Sequence, residues 1–583
     1  MKQWNLDVLY TSFEDPKLTT DQNTVHQLME EAQNYINEDL KGPKPIEEKI
    51  LRYYQLMDAL EAILEALGNF GQLIYSVDTK NSKALKLIET VEGYDPILTL
   101  VTVGFKKWLG RVSDLETIIN STPQLKPYAF AILNARDEAK YMLSDAEESL
   151  LSHMRNTGSN AWSKLQEATL ASLTASVDGD ILPISIVRSL AYDQDSEKRR
   201  RAYEAELESY KRIDTISAAA LNAIKGEVIT VAQKRGYASP LEMTLKNARM
   251  DQETLDAMMT AISEYLPHFR AYLKKKATML GHDHGLPFYD LFAPIGNVHM
   301  TYTYEEAQDF IISNFSSYSH VLGDYAKKAF EMDWVDPFPK EGKASGAFCS
   351  NIHCVSESRI MANFNNNFND VSTLAHELGH GYHGECLKDE VQTNSDYPMP
   401  LAETASIFCE TIVNNAALNH ATQDEAIVII ENAIMSACQV IVDIYSRYLF
   451  ETELFKQRSI ASLSVKELNT LMLNAQKEAY GDGLNHDSLH PYMWVCKPHY
   501  YSADYNFYNF PYAFGLLFAK GLYAMYLENQ EGFIPKYDEL LKATGSNNIK
   551  DVLSIVGVDA HSPDFFRASL ELIKKDIDLF LTY

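Results

Sequence analysis

The segment Asp370-Val-Ser-Thr-Leu-Ala-His376-Glu377-Leu-Gly-His380-Gly-Tyr-His383 carries the residues best suited to chemistry. Two imidazoles four residues apart on a helix stand on one face about a turn from each other, so both can reach one ion. Glu377, one position past the first histidine, is turned aside from direct ligation. It remains close enough to take a proton from a water that such an ion activates. Asp370 is placed to cap the helix. The spacing predicts a hydrolytic zinc site, one ion per chain, with His376 and His380 as ligands and Glu377 as general base.

A catalytic zinc needs a third protein ligand and an open position. The longer continuation H-x-x-G-x-x-H is missing, since His383 stands in the glycine's place and Cys386 in the last histidine's, and this excludes a metzincin. A second helix is predicted after Pro398-Met399-Pro400, with Glu403, Ser406 and Glu410 along one side. Glu403 is the expected third ligand, with the 22 residues between His380 and Glu403 forming the loop that turns the chain back. Glu385, Asp389, Glu390 and Asp396 are alternatives whose reach is poorer. Glu410, two turns past Glu403, suits either an ordinary salt bridge or a hydrogen bond to the free N–H of a ligating histidine, which would fix its tautomer. His383 suits the helix core as well as the surroundings of the ion, and His282-x-His284 and His353 read as histidines that bind nothing specific.

HELGHGYH followed by AETAS and Glu410 resembles the oligoendopeptidase F and thimet oligopeptidase family of zinc peptidases, and NDVSTLAHELGHGYH and FYNFPYAFG are closer to its oligoendopeptidase F branch. Gly346-Ala347-Phe348-Cys349, Met361 to Phe364, Tyr289-Asp290-Leu291 with Pro294, and the run His499 to Gly515 are further landmarks in family order. The resemblance is strong over residues 200–583 and only helical in character before that. It implies a mostly α, multi-lobed ellipsoid with a deep substrate channel, zinc on the channel wall and a small β-sheet near the active site. It matches His376, His380 and Glu403 to the metal ligands and Glu377 to the base. It assigns the region of His499, Tyr505, Tyr508 and Tyr512 to transition-state donors, without saying which tyrosine faces the metal. Gly346, Ala347 and Phe348 are the candidate substrate-binding turn.

Such a site has to be held by packed helices. Apolar residues return at helical spacing at Leu56, Leu60, Ile63, Leu64 and Leu67, with Gly68 as the expected stop, and again across 130–152, 200–225, 252–280 and 424–456. Alternation of strand type is confined to Ser358–Phe364, an extended stretch along which a substrate backbone could pair. Breaks at 42–45, 281–300, 336–346, 393–400 and 481–488 are turns, not linkers. Two lobes are expected, an N-terminal helical one over 1–195 and a catalytic one over 196–583. Lys198-Arg199-Arg200-Arg201, flanked by acids, reads as a solvated and internally paired face.

Across 583 residues, 52 Lys and Arg stand against 80 Asp and Glu, a net charge of −28 that disfavours nucleic acid and anionic lipid as partners. The amino terminus lacks the apolar run of a signal peptide, and no window reads as apolar enough to cross a bilayer. Six cysteines without a C-x-x-C suggest reduced thiols. The expectation is a cytoplasmic, zinc-dependent endopeptidase of short unfolded oligopeptides. A zinc-containing peptide-binding protein of little activity and a metallo-exopeptidase are the alternatives.

Overall fold

Short-range signals start many of the helices. Ser144 with Glu147, Thr303 with Glu306, Thr422 with Glu425 and Ser464 with Glu467 each form a reciprocal capping box, satisfying otherwise orphaned backbone donors at the start of a helix. The computed structural model describes residues 2–296 and 300–583, so the end of the break expected at 281–300 includes positions outside the described residues. The described chain is mostly helical, with a two-stranded and a three-stranded sheet.

Local signals are overridden in three places. The helix Ile46–Val77 runs straight through Gly68, the expected stop, because its apolar stripe is buried along the whole length and packs on the helix Ser82–Glu92. Arg199, taken for part of a solvated face, is 3% exposed and donates to Asp290 at 2.7 Å, although Arg200 does pair with Glu197 and Glu204 as read. The continuous helical stretch Gln423–Arg458 is long and apolar enough to cross a membrane by length and composition, contrary to the sequence reading, but 56% of its most apolar window is buried inside the protein. Burial of that order is what the core helix of a folded domain shows.

The chain divides into two units, each assembled from three separate segments. The first comprises Met1–Met142, His299–His420 and Met525–Val558, and the second Leu143–Val298, Ala421–Ala524 and Asp559–Tyr583. The sequence placed one boundary between 195 and 196, whereas residues on both sides of that point belong to the second unit.

In the first unit, aromatic and aliphatic side chains of the helices Pro16–Asn37, Ile46–Val77 and Asp95–Leu109 form one core cluster. The three-stranded sheet lies in this unit. Its order is Val335–Asp336, then Glu357–Met361, then Phe348–Ile352. The middle strand is parallel to the first and antiparallel to the last, with Cys349 opposite Ile360. The extended stretch expected at Ser358–Phe364 is therefore realised over Glu357–Met361, paired along its length with Phe348–Ile352 and, at Ile360 and Met361, also with Val335–Asp336. As the middle strand it is not an edge for a substrate backbone to extend; the edges are the two-residue Val335–Asp336 and the longer Phe348–Ile352.

In the second unit the helix Gln252–Met279 packs against Asp564–Leu581, and its Lys276 reaches Glu431 of the long apolar stretch at 2.6 Å with both groups buried. Tyr272 Oη donates to the same carboxylate at 2.7 Å. A buried charge is tolerated because its partner and further hydrogen bonds replace the lost water. All six cysteines are free.

Candidate metal centre and a second cluster

The motif helix spans Phe368–Leu387 and begins one turn earlier than a cap at Asp370 would place it. Asn367 is the cap: its side-chain oxygen accepts from the Asp370 N–H at 3.1 Å, while Asp370 Oδ2 accepts from the backbone N–H of Asn367 and Asn365. Asp370 thus completes a capping box from the third helical position. The next helix comes in two pieces, Met399–Ala402 and Thr404–Leu418, with Glu403 at the junction.

Close approach of these two helices depends on a missing side chain. A Cβ placed on Gly379 would lie 2.5 Å from the Ala405 carbonyl oxygen and 2.6 Å from Ser406 Cα. Glycine therefore lets the segment bearing Glu403 lie directly on the turn between His376 and His380. On the opposite side, Asn351 of the edge strand donates to the His380 carbonyl at 3.0 Å, in space that a Cβ on Gly384 would fill.

These constraints bring three donor groups together. His376, His380 and Glu403 each offer a ligand atom, and those atoms all lie within 4.8 Å of one another. Glu403 Oε2 is 3.2 Å from His376 Nε2 and 3.6 Å from His380 Nε2, while Ser406 Oγ donates to the same carboxylate oxygen at 2.8 Å. Glu410 Oε2 sits 3.3 Å from His376 Nδ1, and His380 hydrogen-bonds the Ala402 carbonyl. None of Glu385, Asp389, Glu390 and Asp396 joins such a group among the described residues. Glu385 pairs with Lys388 instead, and Glu390 with Lys542.

The electrostatics of the set favour a cation. Burial pulls His376 down, but the carboxylates of Glu403 and Glu410 overcome it and push its pKa up to about 10. Burial and the positive charge of His376 hold His380 at about 4, so its ring stays neutral and able to ligate. Burial works to raise Glu403, yet its hydrogen bond from His376 and the charges of both histidines keep it at about 2. One anionic and two imidazole donors converging on a point is a set that zinc accepts. Glu377 is buried beside it at 7% exposure, and burial lifts its carboxyl to about 7 against the pull of His376 and of the Cys349 backbone N–H. A carboxyl balanced near neutrality can both take and return a proton.

His383 is fully buried, stacks on Tyr397 with ring centroids 3.9 Å apart and bonds Thr544 Oγ1 through Nε2 at 2.8 Å, so it belongs to the core. His282 is committed to Asp290 at 2.6 Å, and His353 to the Glu390 carbonyl at 2.9 Å. Gly346 has φ +84 with open space where a side chain would go, which marks a turn that needs glycine for its backbone and not for a close contact. Ala347 follows it and Phe348 begins the edge strand.

The remaining predicted residues form a second cluster, in the other unit. Tyr508 is its hub, with ring centroids 5.0 Å from Tyr505, 5.8 Å from Tyr512 and 6.3 Å from His499. His499 Nε2 is buried without a partner, and burial together with the charges of Arg447, Lys225 and Lys497 presses its pKa down to about 3. Its ring is neutral and has a donor to offer. Tyr505 and Tyr512 are exposed, at 56% and 36%.

Sequence reasoning missed what holds this cluster. Lys225 Nζ lies 3.2 Å from Glu451 Oε1 and donates to Asn506 Oδ1 at 2.7 Å, with both charged groups fully buried. Glu451 in turn accepts from the Phe507 N–H at 3.1 Å and from Asn509 Nδ2 at 3.3 Å. The pair thereby supports Phe507 in the left-handed region, at φ 52. A lone lysine and a lone glutamate within helical patterns carry no local signal of this role.

Known peptidases are similar to this chain in sequence and in fold. The family model described as Peptidase family M3 matches residues 189–572, and the one described as Oligopeptidase F matches 113–174. Oligopeptidase PepF of Bacillus subtilis is 28% identical over 477 residues, covering 80% of this chain and 70% of that protein. An oligoendopeptidase F homolog of Lactococcus lactis is 24% identical over 588 residues, covering 98% and 95%. In fold, the oligoendopeptidase-F of Enterococcus faecium superposes with a TM-score of 0.69 at 18% identity, covering 96% of this chain and 97% of that one.

Proposed function

The chain belongs to peptidase family M3, and we propose on that premise that it is a zinc-dependent endopeptidase cutting internal bonds of short, unfolded peptides. The observation that carries the reading is the convergence of His376, His380 and Glu403 within 4.8 Å with the buried Glu377 beside them. His376, His380 and Glu403 would hold the ion. When bound, zinc supplies Lewis-acid polarisation of the scissile carbonyl and lowers the pKa of a water to about 7.

The chain's own residues do the rest. Glu377 takes the proton of the attacking water and delivers it to the leaving amine, a role suited to a carboxyl lifted to about 7. Glu410 accepts from His376 Nδ1 and so keeps Nε2 available for ligation. The edge strand Phe348–Ile352 offers backbone groups to an extended peptide, which suits affinity without demand for a particular side chain. His499 and the tyrosines around Tyr508 are the candidate donors to the oxyanion of the tetrahedral intermediate, where losing one donor typically costs about 2.7–4 kcal/mol of barrier. The cytoplasmic location is part of this proposal, since six free thiols suit a reducing compartment. Cell fractionation checks it, and recovery of the chain outside the cytoplasm would overturn it.

The test uses quenched-fluorescent peptides of graded length, with and without chelator, alongside Glu377→Gln, with cleaved bonds mapped by mass spectrometry and zinc content measured. Internal cuts in short peptides, abolished by chelator and reduced about 10²–10⁴-fold in a variant that keeps its zinc, are expected. Cuts only at termini would make it an exopeptidase. Full activity in Glu377→Gln would remove the assignment of the base, and a zinc-loaded chain that cleaves nothing would favour a binding protein.

A further inference from the structure

The second unit contains a cavity that includes none of the residues placed in catalysis above. One wall is aromatic, with Tyr203 and Phe288 whose rings lie 6.2 Å apart. Another is the segment Gln439–Asp443, where the long apolar helix loosens into a π turn. Such turns cost helical hydrogen-bond geometry and recur at functional positions. Both ends of this one, Gln439 and Asp443, line the cavity.

Polar groups here are left without partners. His490 is 1% exposed; its Nε2 faces Glu206 Oε1 at 3.4 Å, while its Nδ1 is buried without a hydrogen bond. The Gln439 side-chain NH₂ is buried and also unpartnered. A buried donor left unpaired costs free energy that a bound ligand can recover.

Charge is unbalanced in the same place. Arg188 pairs with Glu206 at 3.2 Å, Arg199 with Asp290 at 2.7 Å and Arg447 with Asp443. Lys497, which also lines the cavity, has no carboxylate within 4.0 Å among the described residues. Burial and the neighbouring Arg447 press its ammonium below the ordinary lysine range, against the pull of Asp443. One uncompensated cation, two idle donors and an aromatic wall define the missing chemistry. A dianion would overcompensate beside Glu206 and Asp443, and a neutral molecule would leave Lys497 as it is.

We propose that this cavity binds a small organic monocarboxylate, its carboxylate on Lys497, Gln439 and His490 and its apolar body against Tyr203 and Phe288. Neither the metal group nor the peptidase reading enters the argument.

The test is calorimetric titration of the zinc-loaded chain with N-acetylphenylalanine and with N-acetylphenylalaninamide, which differ by the charge alone. The acid should bind at least about tenfold more tightly than the amide, the factor one charge-assisted contact commonly supplies. Lys497→Gln should bring the acid down to the level of the amide, and Lys497→Arg, which keeps the cation, should retain the preference if the glutamine variant fails to fold. His380→Ala should leave the acid's affinity unchanged. Equal binding of acid and amide by the wild type overturns the proposal. So does loss of binding in His380→Ala with retention in Lys497→Gln, which would put the carboxylate at the metal group, and so does inorganic phosphate competing better than the acid.

Discussion

His376 is held between two carboxylates: Glu403 Oε2 lies 3.2 Å from its Nε2 and Glu410 Oε2 lies 3.3 Å from its Nδ1. One ring nitrogen is thereby presented to the point where the three donors meet, and the other is anchored. The orientation of the ring is set by the helix Thr404–Leu418, which carries Glu410 and is preceded directly by Glu403.

Glu410→Gln removes the charge from that anchor while preserving its size. Metal affinity, measured by competition with a chromophoric chelator, should fall about 10–100-fold, with the fold unchanged by circular dichroism. An affinity equal to that of the wild type would show that Glu410 is only a salt-bridge partner.

Gly379→Ala tests how the two helices are brought together. Its methyl group meets backbone 2.5 Å away, so the second helix has to withdraw and carry Glu403 with it. The variant should lose about 1–3 kcal/mol of stability by overpacking and bind less than one zinc per chain. Full zinc content would mean that Glu403 follows the ion and not the helix contact.

Lys225 and Glu451 make a double-mutant test of the second cluster. Lys225→Met alone strands a buried carboxylate and should cost about 3–5 kcal/mol, whereas adding Glu451→Gln should recover part of the loss. Denaturant unfolding reads the energies, and turnover reads whether the loop bearing Tyr505 and Tyr508 still serves. Additive losses would show that the two charges do not depend on each other.

Glu61 sets a pH dependence of stability. Burial, then the charges of Asp58, Glu65 and Asp396, lift its pKa from 4.5 to about 7. Between those values the folded chain holds more protons than the unfolded one, so this group makes stability fall as pH rises through that window and level off above it. Glu61→Gln should raise stability by about 1–3 kcal/mol at pH 8 and leave it unchanged at pH 4. A gain of the same size at both values would point to packing.

Much of the candidate metal centre was legible because its grammar is local. His376 and His380 share a face by helical spacing alone, and Glu377 follows from its place one residue on. Even there the cap was misplaced by three residues, since Asn367 and Asp370 both have the chemistry of a cap and only the backbone path chooses. Glu403 was separable from Glu385, Asp389, Glu390 and Asp396 only as a matter of reach, which the structure supplies through the missing side chain of Gly379. The role of Lys225 and the burial of Arg199 could not be read at all, because each depends on an acid 226 and 91 residues away.

By itself the sequence determined the helical class, the two histidines with their neighbouring acid, and the aromatic run around Tyr508, all of which arise from spacings within a few turns. Tertiary structure decided which strand is the edge, which carboxylate joins the histidines, and how six chain segments sort into two units. Those choices turn on contacts between distant residues, whose energies come from burial and pairing that no short window contains.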